Sequence, residues 1–180
     1  MEKYILTGGP GVGKTSVIRH LRDLGYTVVH EAARQIINQQ KRRHTLDPSY
    51  DPILPQTCLS TFQLMVIARI LHNEQKTRSK GAVFCDRGLG DGIGYCLAGN
   101  IPVPSGLDGL IERSGYTKVF LLEQLPAYKN DRVRHEDHEK ATAIHNAILD
   151  GYRTLSLPVV IVPPYPVHKR VEMILDTIKQ

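Results

Sequence analysis

The sequence predicts an α/β fold in which helices cover a parallel sheet, and three observations support that prediction. Strand-like and helix-like segments alternate along the 180 residues. The strand-like segments are short, and residues 81–86 are nearly all apolar, which is typical of a parallel strand covered on both faces. A chain of this length is also expected to form one compact domain, residues 1–180.

Five segments are predicted to be strands because they are short and rich in β-branched and aromatic residues. They are residues 3–7, 26–30, 81–86, 118–122 and 159–162. The intervening segments carry apolar residues at helical spacing. The predicted helices are residues 14–24, about 31–43, about 57–77, a short helix within the glycine- and proline-rich stretch 88–106, about 138–154 and about 167–179. Five parallel strands with helical crossovers form an open, doubly wound sheet.

Composition narrows the class of protein. No apolar run reaches the roughly 18 residues needed to cross a bilayer, and the chain opens without a charged-then-apolar secretory pattern. A cytoplasmic protein with no membrane partner is therefore expected. Three cysteines without a CxxC pair predict reduced thiols, not a disulfide framework or a zinc site. The net charge of +5 suits nucleotides and other anionic small molecules, and equally nucleic acid.

A glycine-rich loop joins the first predicted strand to the first predicted helix. Residues 8–15 match the pattern G-x-x-x-x-G-K-[ST], the Walker A motif, without a mismatch. Glycines allow backbone N–H groups to turn around phosphate oxygens, and the helix adds its positive N-terminal end. Lys14 would place its charge on the β- and γ-phosphates, and the Thr15 hydroxyl would coordinate Mg²⁺. The candidate nucleotide-binding residues are Gly8, Gly9, Pro10, Gly11, Val12, Gly13, Lys14, Thr15 and Ser16.

Asp86 and Arg87 follow the third predicted strand. An apolar strand that ends in Asp at the C-terminal edge of the sheet is the Walker B arrangement, in which the carboxylate faces Mg²⁺ directly or through water. A turn or helix-cap role is the alternative for Asp86. Arg87 is a candidate for holding an anionic or hydroxyl-bearing substrate, with a structural ion pair as its alternative.

Glu31 and Arg34 are candidate acceptor-binding residues because they follow the second predicted strand. Ligands of open α/β sheets bind beyond the strand ends, and residues three apart share one helix face. The Glu31 carboxylate would accept the proton of an attacking hydroxyl. The alternative for Glu31 is a first-turn glutamate that complements the helix dipole.

A basic segment, residues 128–135, follows the fourth predicted strand and precedes a helix. A mobile loop carrying Arg132 and Arg134 would close over the triphosphate, neutralise charge in the transition state and exclude water. We therefore predict a lid at about residues 125–138, with a solvated charged loop as the alternative. Three histidines fit no common zinc spacing and are predicted to be exposed lid and helix residues: His135, His138 and His145.

Together these motifs resemble the AAA-like family of P-loop kinases and NTPases, which includes the ribosylnicotinamide kinase domain of bacterial NAD regulators. The matching segments span almost the whole chain: residues 5–15, 31–34, 84–88, 128–134 and 144–147. The resemblance implies a three-layer α/β/α P-loop fold, nucleoside- and nucleotide-kinase-like, with strand order 2-3-1-4-5. It also implies phosphoryl transfer from ATP with Mg²⁺. By position, the catalytic residues it implies are Lys14, Glu31, Asp86, Arg132 and Arg134, with Thr15 and Asp86 at the metal and Glu31, Arg34 and Arg87 at the acceptor.

The leading hypothesis is a kinase that transfers the γ-phosphoryl group of ATP to a hydroxyl of a small molecule, a nucleoside among the candidates. One alternative is a nucleotide-dependent switch with slow hydrolysis, since a fold alone does not decide function. A less favoured alternative is a nucleic-acid end kinase, motivated by the net charge and the basic run at residues 41–43. The absence of an Asn-Lys-x-Asp sequence favours ATP over GTP. Neither the acceptor nor the oligomeric state follows from the sequence.

Overall fold

The computed structural model describes the backbone of residues 2–126 and 132–179 and the side chains of residues 2–126 and 138–179. Within these residues, five parallel strands form one sheet. The strands are β1 (Lys3–Thr7), β2 (Thr27–Val29), β3 (Val83–Asp86), β4 (Tyr116–Leu122) and β5 (Val159–Val162). Their spatial order is β2-β3-β1-β4-β5, which confirms the order implied by the family resemblance.

Helices connect the strands in the described part of the chain. They are α1 (Lys14–Asp23), α2 (Ala32–Leu46), α3 (Leu59–Lys76), α4 (Leu89–Ala98), α5 (Leu107–Arg113), α6 (Arg132–Arg153) and α7 (Val167–Ile178). None of the described helices is both long enough and apolar enough to cross a membrane.

The strand and helix predictions are confirmed with two differences. Helix α5 was not predicted, because its seven residues are too few to show a helical repeat and include Gly109. Helix α6 begins at Arg132, whereas the sequence predicted a helix from about residue 138 and a loop before it. Residues 127–131, and the side chains of residues 132–137, lie outside the described part of the chain. The predicted lid therefore lies largely outside it as well.

Side chains alternate between two apolar layers, one on each face of the sheet, because successive strand residues point in opposite directions. On one face, Tyr4 and Leu6 of β1 pack with residues of α1 and α7, including Leu21 and Ile174. On the other face, Ile5 packs with residues of α2, α3, α4, α5 and α6. The molecule therefore has three layers, with the sheet buried between two sets of helices.

The strand order places three chain segments next to one another at the C-terminal edge of the sheet. Strand β3 pairs with both β1 and β2, and Leu6 of β1 lies opposite Asp86 of β3. The glycine-rich loop after β1, Asp86 and the segment after β2 that contains Glu31 therefore emerge side by side. Ligands of open α/β sheets bind at such an edge.

Candidate active site

The glycine-rich loop has the backbone conformation that its sequence predicts. Gly8, Gly11 and Gly13 have φ angles of 129°, 78° and 85°, a region that residues with a side chain rarely adopt. A Cβ atom on Gly8 would also lie 2.6 Å from the carbonyl oxygen of Leu122. Gly13 precedes the first residue of α1, so the loop leads directly into a helix N-terminus.

Lys14 lies inside this loop. Its side chain is buried, with only 8% of the residue exposed, and its ammonium donates to the carbonyl oxygens of Gly8 and Gly9 at 2.9 Å each. Burial, followed by the nearby charge of Arg87, lowers the pKa of Lys14 to about 8. A cation held at the centre of a glycine loop is suited to meet phosphate oxygens.

Asp86 ends β3 at the same edge of the sheet. Its Oδ1 atom is buried and has no hydrogen-bond partner among the described residues. Burial, followed by the negative charge of Glu31, raises the pKa of Asp86 to about 6. A buried carboxylate oxygen without a protein hydrogen-bond partner is suited to bind a cation. Carboxylate and hydroxyl oxygens are ligands that Mg²⁺ prefers. Asp86 and Thr15 line one cavity, so these residues fit a magnesium ion.

Arg87 joins Glu31 to a second carboxylate. Its Nε donates to Glu31 Oε1 at 3.0 Å and its Nη1 donates to Asp91 Oδ1 at 2.7 Å. The guanidinium also lies over the ring of Tyr95, 5.1 Å from its centre. Arg87 has a φ of 71°, which is rare for a bulky residue and indicates a backbone held by these contacts. Arg87 is thus part of an ion-pair network and also lines the cavity that contains Lys14.

Asp91, in the first turn of α4, organises this network, and the sequence interpretation missed it. Its carboxylate accepts hydrogen bonds from Thr7 Oγ1 at 2.5 Å, Arg87 at 2.7 Å, the Gly88 N–H at 2.9 Å and Tyr152 OH at 2.7 Å. An Asp three residues after the N-cap is a known helix-start signal, and this spacing from Gly88 would have singled Asp91 out as a capping residue. Its partners Thr7 and Tyr152 are distant in sequence, 84 and 61 residues away.

One cavity of about 440 Å³ brings most of the predicted site residues together. Arg34 lies at its rim, with Nε 3.6 Å from Glu31 Oε2 and 66% of its side chain exposed. Ser16 is exposed and does not line the cavity. Arg132 and Arg134 begin α6, but their side chains are outside the described residues. The cavity is lined by Pro10, Gly11, Val12, Gly13, Lys14, Thr15, Glu31, Arg34, Asp86, Arg87 and Tyr95.

A second, mostly apolar cavity of about 180 Å³ adjoins the first. The two cavities share Glu31, Arg87 and Tyr95, but the second contains no residue of the glycine-rich loop. Its walls come from α2, α3 and α4 and include Phe62 and the buried amide side chain of Gln63. Glu31 therefore lies between a polar cavity at the loop and an apolar cavity beyond it.

His145 was predicted to be exposed, and that prediction is wrong. Only 8% of His145 is exposed, and its Nδ1 accepts a hydrogen bond from the Gly9 N–H. Helix α6 packs directly on the loop: a Cβ atom on Gly9 would lie 2.8 Å from the carbonyl oxygen of Ala141. Burial lowers the pKa of His145; the nearby charge of Glu123 opposes this shift and that of Lys14 adds to it. The sequence gives no signal for this contact because the two partners are 136 residues apart.

The fold and the loop define the class of this protein as a P-loop nucleotide-binding enzyme, a phosphotransferase or NTPase. The chain belongs to the AAA domain family, whose match covers residues 3–170. This confirms the resemblance to P-loop kinases and NTPases of the AAA-like type. No curated protein matches the sequence at a significant level.

Solved structures of nucleoside and nucleotide kinases share the fold. A thymidylate kinase from Ehrlichia chaffeensis superposes with a TM-score of 0.67 and 14% identity, over 98% of each chain. A deoxyadenosine kinase from M. mycoides with the products dCMP and dCDP superposes with a TM-score of 0.63 and 14% identity, again over 98% of each chain. A structure of deoxyadenosine kinase from M. mycoides with bound dATP gives a TM-score of 0.62 at 13% identity, over 99% of this chain and 100% of that chain.

Proposed function

We propose that this protein is an ATP-dependent kinase that transfers the γ-phosphoryl group to a hydroxyl of a small molecule, with nucleosides as the first class of acceptor to test. The observation that carries this proposal is a single cavity in which Lys14 and Thr15 of the loop, Asp86 and Glu31 all lie. These residues supply a phosphate-binding loop, oxygen ligands for a metal and a carboxylate beside them. Phosphoryl transfer requires little else than such positioning and charge neutralisation.

On the donor side, the loop would bind the triphosphate of ATP. The Lys14 ammonium would exchange its contacts with the Gly8 and Gly9 carbonyls, now 2.9 Å each, for contacts with phosphate oxygens. Thr15 and Asp86 would hold Mg²⁺, which neutralises charge on the β- and γ-phosphates when bound. A bound cation would lower the pKa of Asp86 from about 6 and so favour its ionised form.

On the acceptor side, Glu31 would receive the proton of the attacking hydroxyl. The hydroxyl oxygen bonds to the γ-phosphorus, its proton passes to the Glu31 carboxylate, and the bond to the bridging oxygen breaks to leave ADP. The ion pair with Arg87, at 3.0 Å, fixes one Glu31 oxygen and so orients the carboxylate. Because Asp91 holds Arg87 from the other side, this orientation is set by the core of the protein.

The apolar cavity beyond Glu31 would take the non-reacting part of the acceptor. Its aromatic and aliphatic walls suit a flat, uncharged group, and the buried Gln63 amide offers one donor and one acceptor to its edge. Binding energy from such a remote group serves to orient the reacting hydroxyl. These features support a nucleoside as the acceptor class.

Arg132 and Arg134 are retained as proposed catalytic residues of a lid. Helix α6 begins at Arg132 and contacts the loop through Ala141. At 1.5 Å of rise per residue, Arg134 lies roughly 10 Å along the helix axis from Ala141. Both arginines therefore belong to the helix that packs on the loop, which supports keeping them as lid candidates.

The decisive experiment compares E31Q with the wild type. Nucleosides and related hydroxyl compounds are incubated with ATP and Mg²⁺, product is identified by mass spectrometry, and ADP release is measured. E31Q is expected to lower acceptor-dependent turnover by about 10²- to 10⁴-fold, the usual contribution of a general base, and to leave ATP binding within a factor of about three. E112Q, a change at an exposed glutamate of α5, is the matched control. Unchanged turnover in E31Q would remove the proposed role, and tight ATP binding with no active acceptor would favour the nucleotide-dependent switch.

A groove beside the site favours a nucleic-acid end as the second candidate acceptor. It has a volume of about 420 Å³, shares Thr15, Glu31 and Asp86 with the site region, and is lined by Arg19, Arg22 and Arg34 among others. Arginines along a groove suit a phosphodiester backbone. This candidate requires ATP-dependent labelling of oligonucleotide ends that weakens steeply with salt; equal labelling at about 50 and 200 mM salt would contradict it.

A further inference from the structure

Arg170, in the first turns of α7, is buried where three segments of the chain converge. Only 2% of the residue is exposed. Its guanidinium donates to three carbonyl oxygens: Val12 in the glycine-rich loop at 2.6 Å, Pro163 after β5 at 2.9 Å and Glu123 after β4 at 3.3 Å. Within the described part of the chain it forms no ion pair. No motif in the sequence distinguishes it.

Burying a guanidinium without an ion-pair partner costs free energy, so packing alone does not explain this residue. Burial lowers the pKa of Arg170 and the charge of Glu123 offsets that shift only in part, so the fold disfavours the charge of Arg170. Its neighbours on the inner face of α7, Val171 and Ile174, are apolar residues that fill the core. An apolar residue of similar volume would serve packing equally well. The planar fork of Arg, with five N–H donors, serves a different purpose, because it holds several backbone groups in fixed relative positions.

The contact with Val12 fixes the direction of one peptide group in the loop. A trans peptide is planar, so its carbonyl and its N–H point in opposite directions, and the described chain contains no cis peptide bond. Because the Val12 carbonyl points at Arg170, the N–H of Gly13 points away from it. Gly13 lines the cavity at the loop, and its N–H has no hydrogen-bond acceptor among the described residues. The left-handed φ of 85° at Gly13 is part of the same arrangement.

We propose that Arg170 is a positioning residue for the phosphate loop: by holding the Val12 carbonyl, it turns the Gly13 N–H towards the β-phosphate of a bound nucleotide. The contacts with Pro163 and Glu123 anchor the guanidinium to the ends of β5 and β4, so the loop is held by the sheet. This role rests on nucleotide binding at the loop and does not depend on which acceptor the enzyme uses.

The test measures the affinities of the R170K variant for ADP and AMP by titration calorimetry, in the presence of Mg²⁺. Lysine keeps the charge and most of the stem but loses the fork that joins the three carbonyls. We expect the Kd for ADP to rise about tenfold, the effect of one charge-assisted hydrogen bond, and the Kd for AMP to stay within about twofold. AMP lacks the β-phosphate, so a loop change should not alter its binding. K169R, at the exposed preceding residue, is the control and should match the wild type.

The outcomes separate the inference from the nucleotide site itself. Equal shifts for ADP and AMP, or no shift in a folded R170K, overturn it. A wild type that does not bind ADP removes the nucleotide site and the inference together. If R170K does not fold, NMR of the wild type decides: on ADP binding the Gly13 amide proton must move strongly downfield while the Arg170 Nε–H stays protected from exchange. A Gly13 amide that does not move overturns the inference.

Discussion

His145 accepts a hydrogen bond from the Gly9 N–H, with 3.2 Å between Gly9 N and His145 Nδ1, and so ties helix α6 to the phosphate loop. An imidazole nitrogen can accept only when it carries no proton. Protonation of His145 would therefore replace an attraction by a repulsion at the loop, close to the ammonium of Lys14. The same helix begins with the two arginines proposed for the lid.

The His145 contact predicts a specific pH dependence of stability. The pKa of His145 is lowered in the fold, so the unfolded chain takes up this proton first as pH falls. The contribution to stability is complete above the ordinary imidazole pKa, about 6.5, and is lost as pH falls through the lowered folded value. H145N, whose amide oxygen can accept without titrating, should lose less stability between about pH 7.5 and about pH 5.5 than the wild type. Thermal unfolding over this range measures it.

H145A supplies the control for this contact. It leaves the Gly9 N–H buried without a partner and should cost about 1–3 kcal/mol at neutral pH. If H145N follows the pH profile of the wild type, another histidine carries the titration.

The lowered pKa of Lys14 leads us to expect that nucleotide affinity falls at alkaline pH. Its pKa is lowered to about 8 in the free protein, so the ammonium begins to lose its proton there. Phosphates beside the ammonium would raise this pKa again, so binding ADP at about pH 8.5 should take up a fraction of a proton. Calorimetry in two buffers of different ionisation enthalpy measures that uptake. K14M should bind ADP more weakly and take up no such proton; equal proton uptake in K14M and the wild type would contradict the assignment.

We expect removal of the Asp86 charge to stabilise the free protein and to weaken its binding of Mg²⁺. Its pKa is raised to about 6, above the ordinary value of an Asp. The folded protein therefore loses stability as pH rises from the ordinary Asp pKa through about 6 and the buried carboxyl ionises. D86N should therefore stabilise the free protein by roughly 1–3 kcal/mol at about pH 7.5. The same variant should lose the extra stabilisation that Mg²⁺ adds to ADP in the wild type. Thermal unfolding with ADP, with and without Mg²⁺, checks both parts. A D86N protein that keeps the full Mg²⁺ effect would exclude Asp86 as a ligand.

Asp91 is predicted to contribute more to stability than its partner Tyr152. D91N leaves Arg87 buried with Glu31 as its remaining carboxylate partner and should cost about 3–5 kcal/mol. Y152F removes only one hydrogen bond to Asp91 and should cost about 1 kcal/mol. Urea denaturation of the two variants gives the comparison. Similar costs would show that Asp91 makes independent contacts and does not organise the network.

The donor side of the site could be predicted from the sequence because its parts are local. The loop conformation depends on glycines at residues 8, 11 and 13, and the helix that follows begins at the next residue. Asp86 was placed from the apolar strand that it ends, and Glu31 from the strand before it. Their convergence in one cavity follows from the order of parallel strands, which a family resemblance supplied correctly.

The residues that hold the site in place could not be predicted in this way. Asp91 binds Thr7 across 84 residues, His145 binds Gly9 across 136 and Arg170 binds Val12 across 158. Each is a polar residue in a segment whose sequence otherwise has the pattern of an ordinary helix. Nothing local distinguishes such a residue from an exposed one; in the case of His145, exposure was the prediction and burial is the finding.

The sequence by itself therefore determined the chemistry of the phosphate loop, because the φ angles of glycines and the start of a helix depend on adjacent residues. Only the tertiary structure decided how that loop is held. Arg87 is shared between two carboxylates, and the loop is fixed by α6 on one side and by α7 on another. These contacts arise from packing helices on both faces of the sheet. They therefore depend on which elements lie close together in space, and local sequence patterns do not show this.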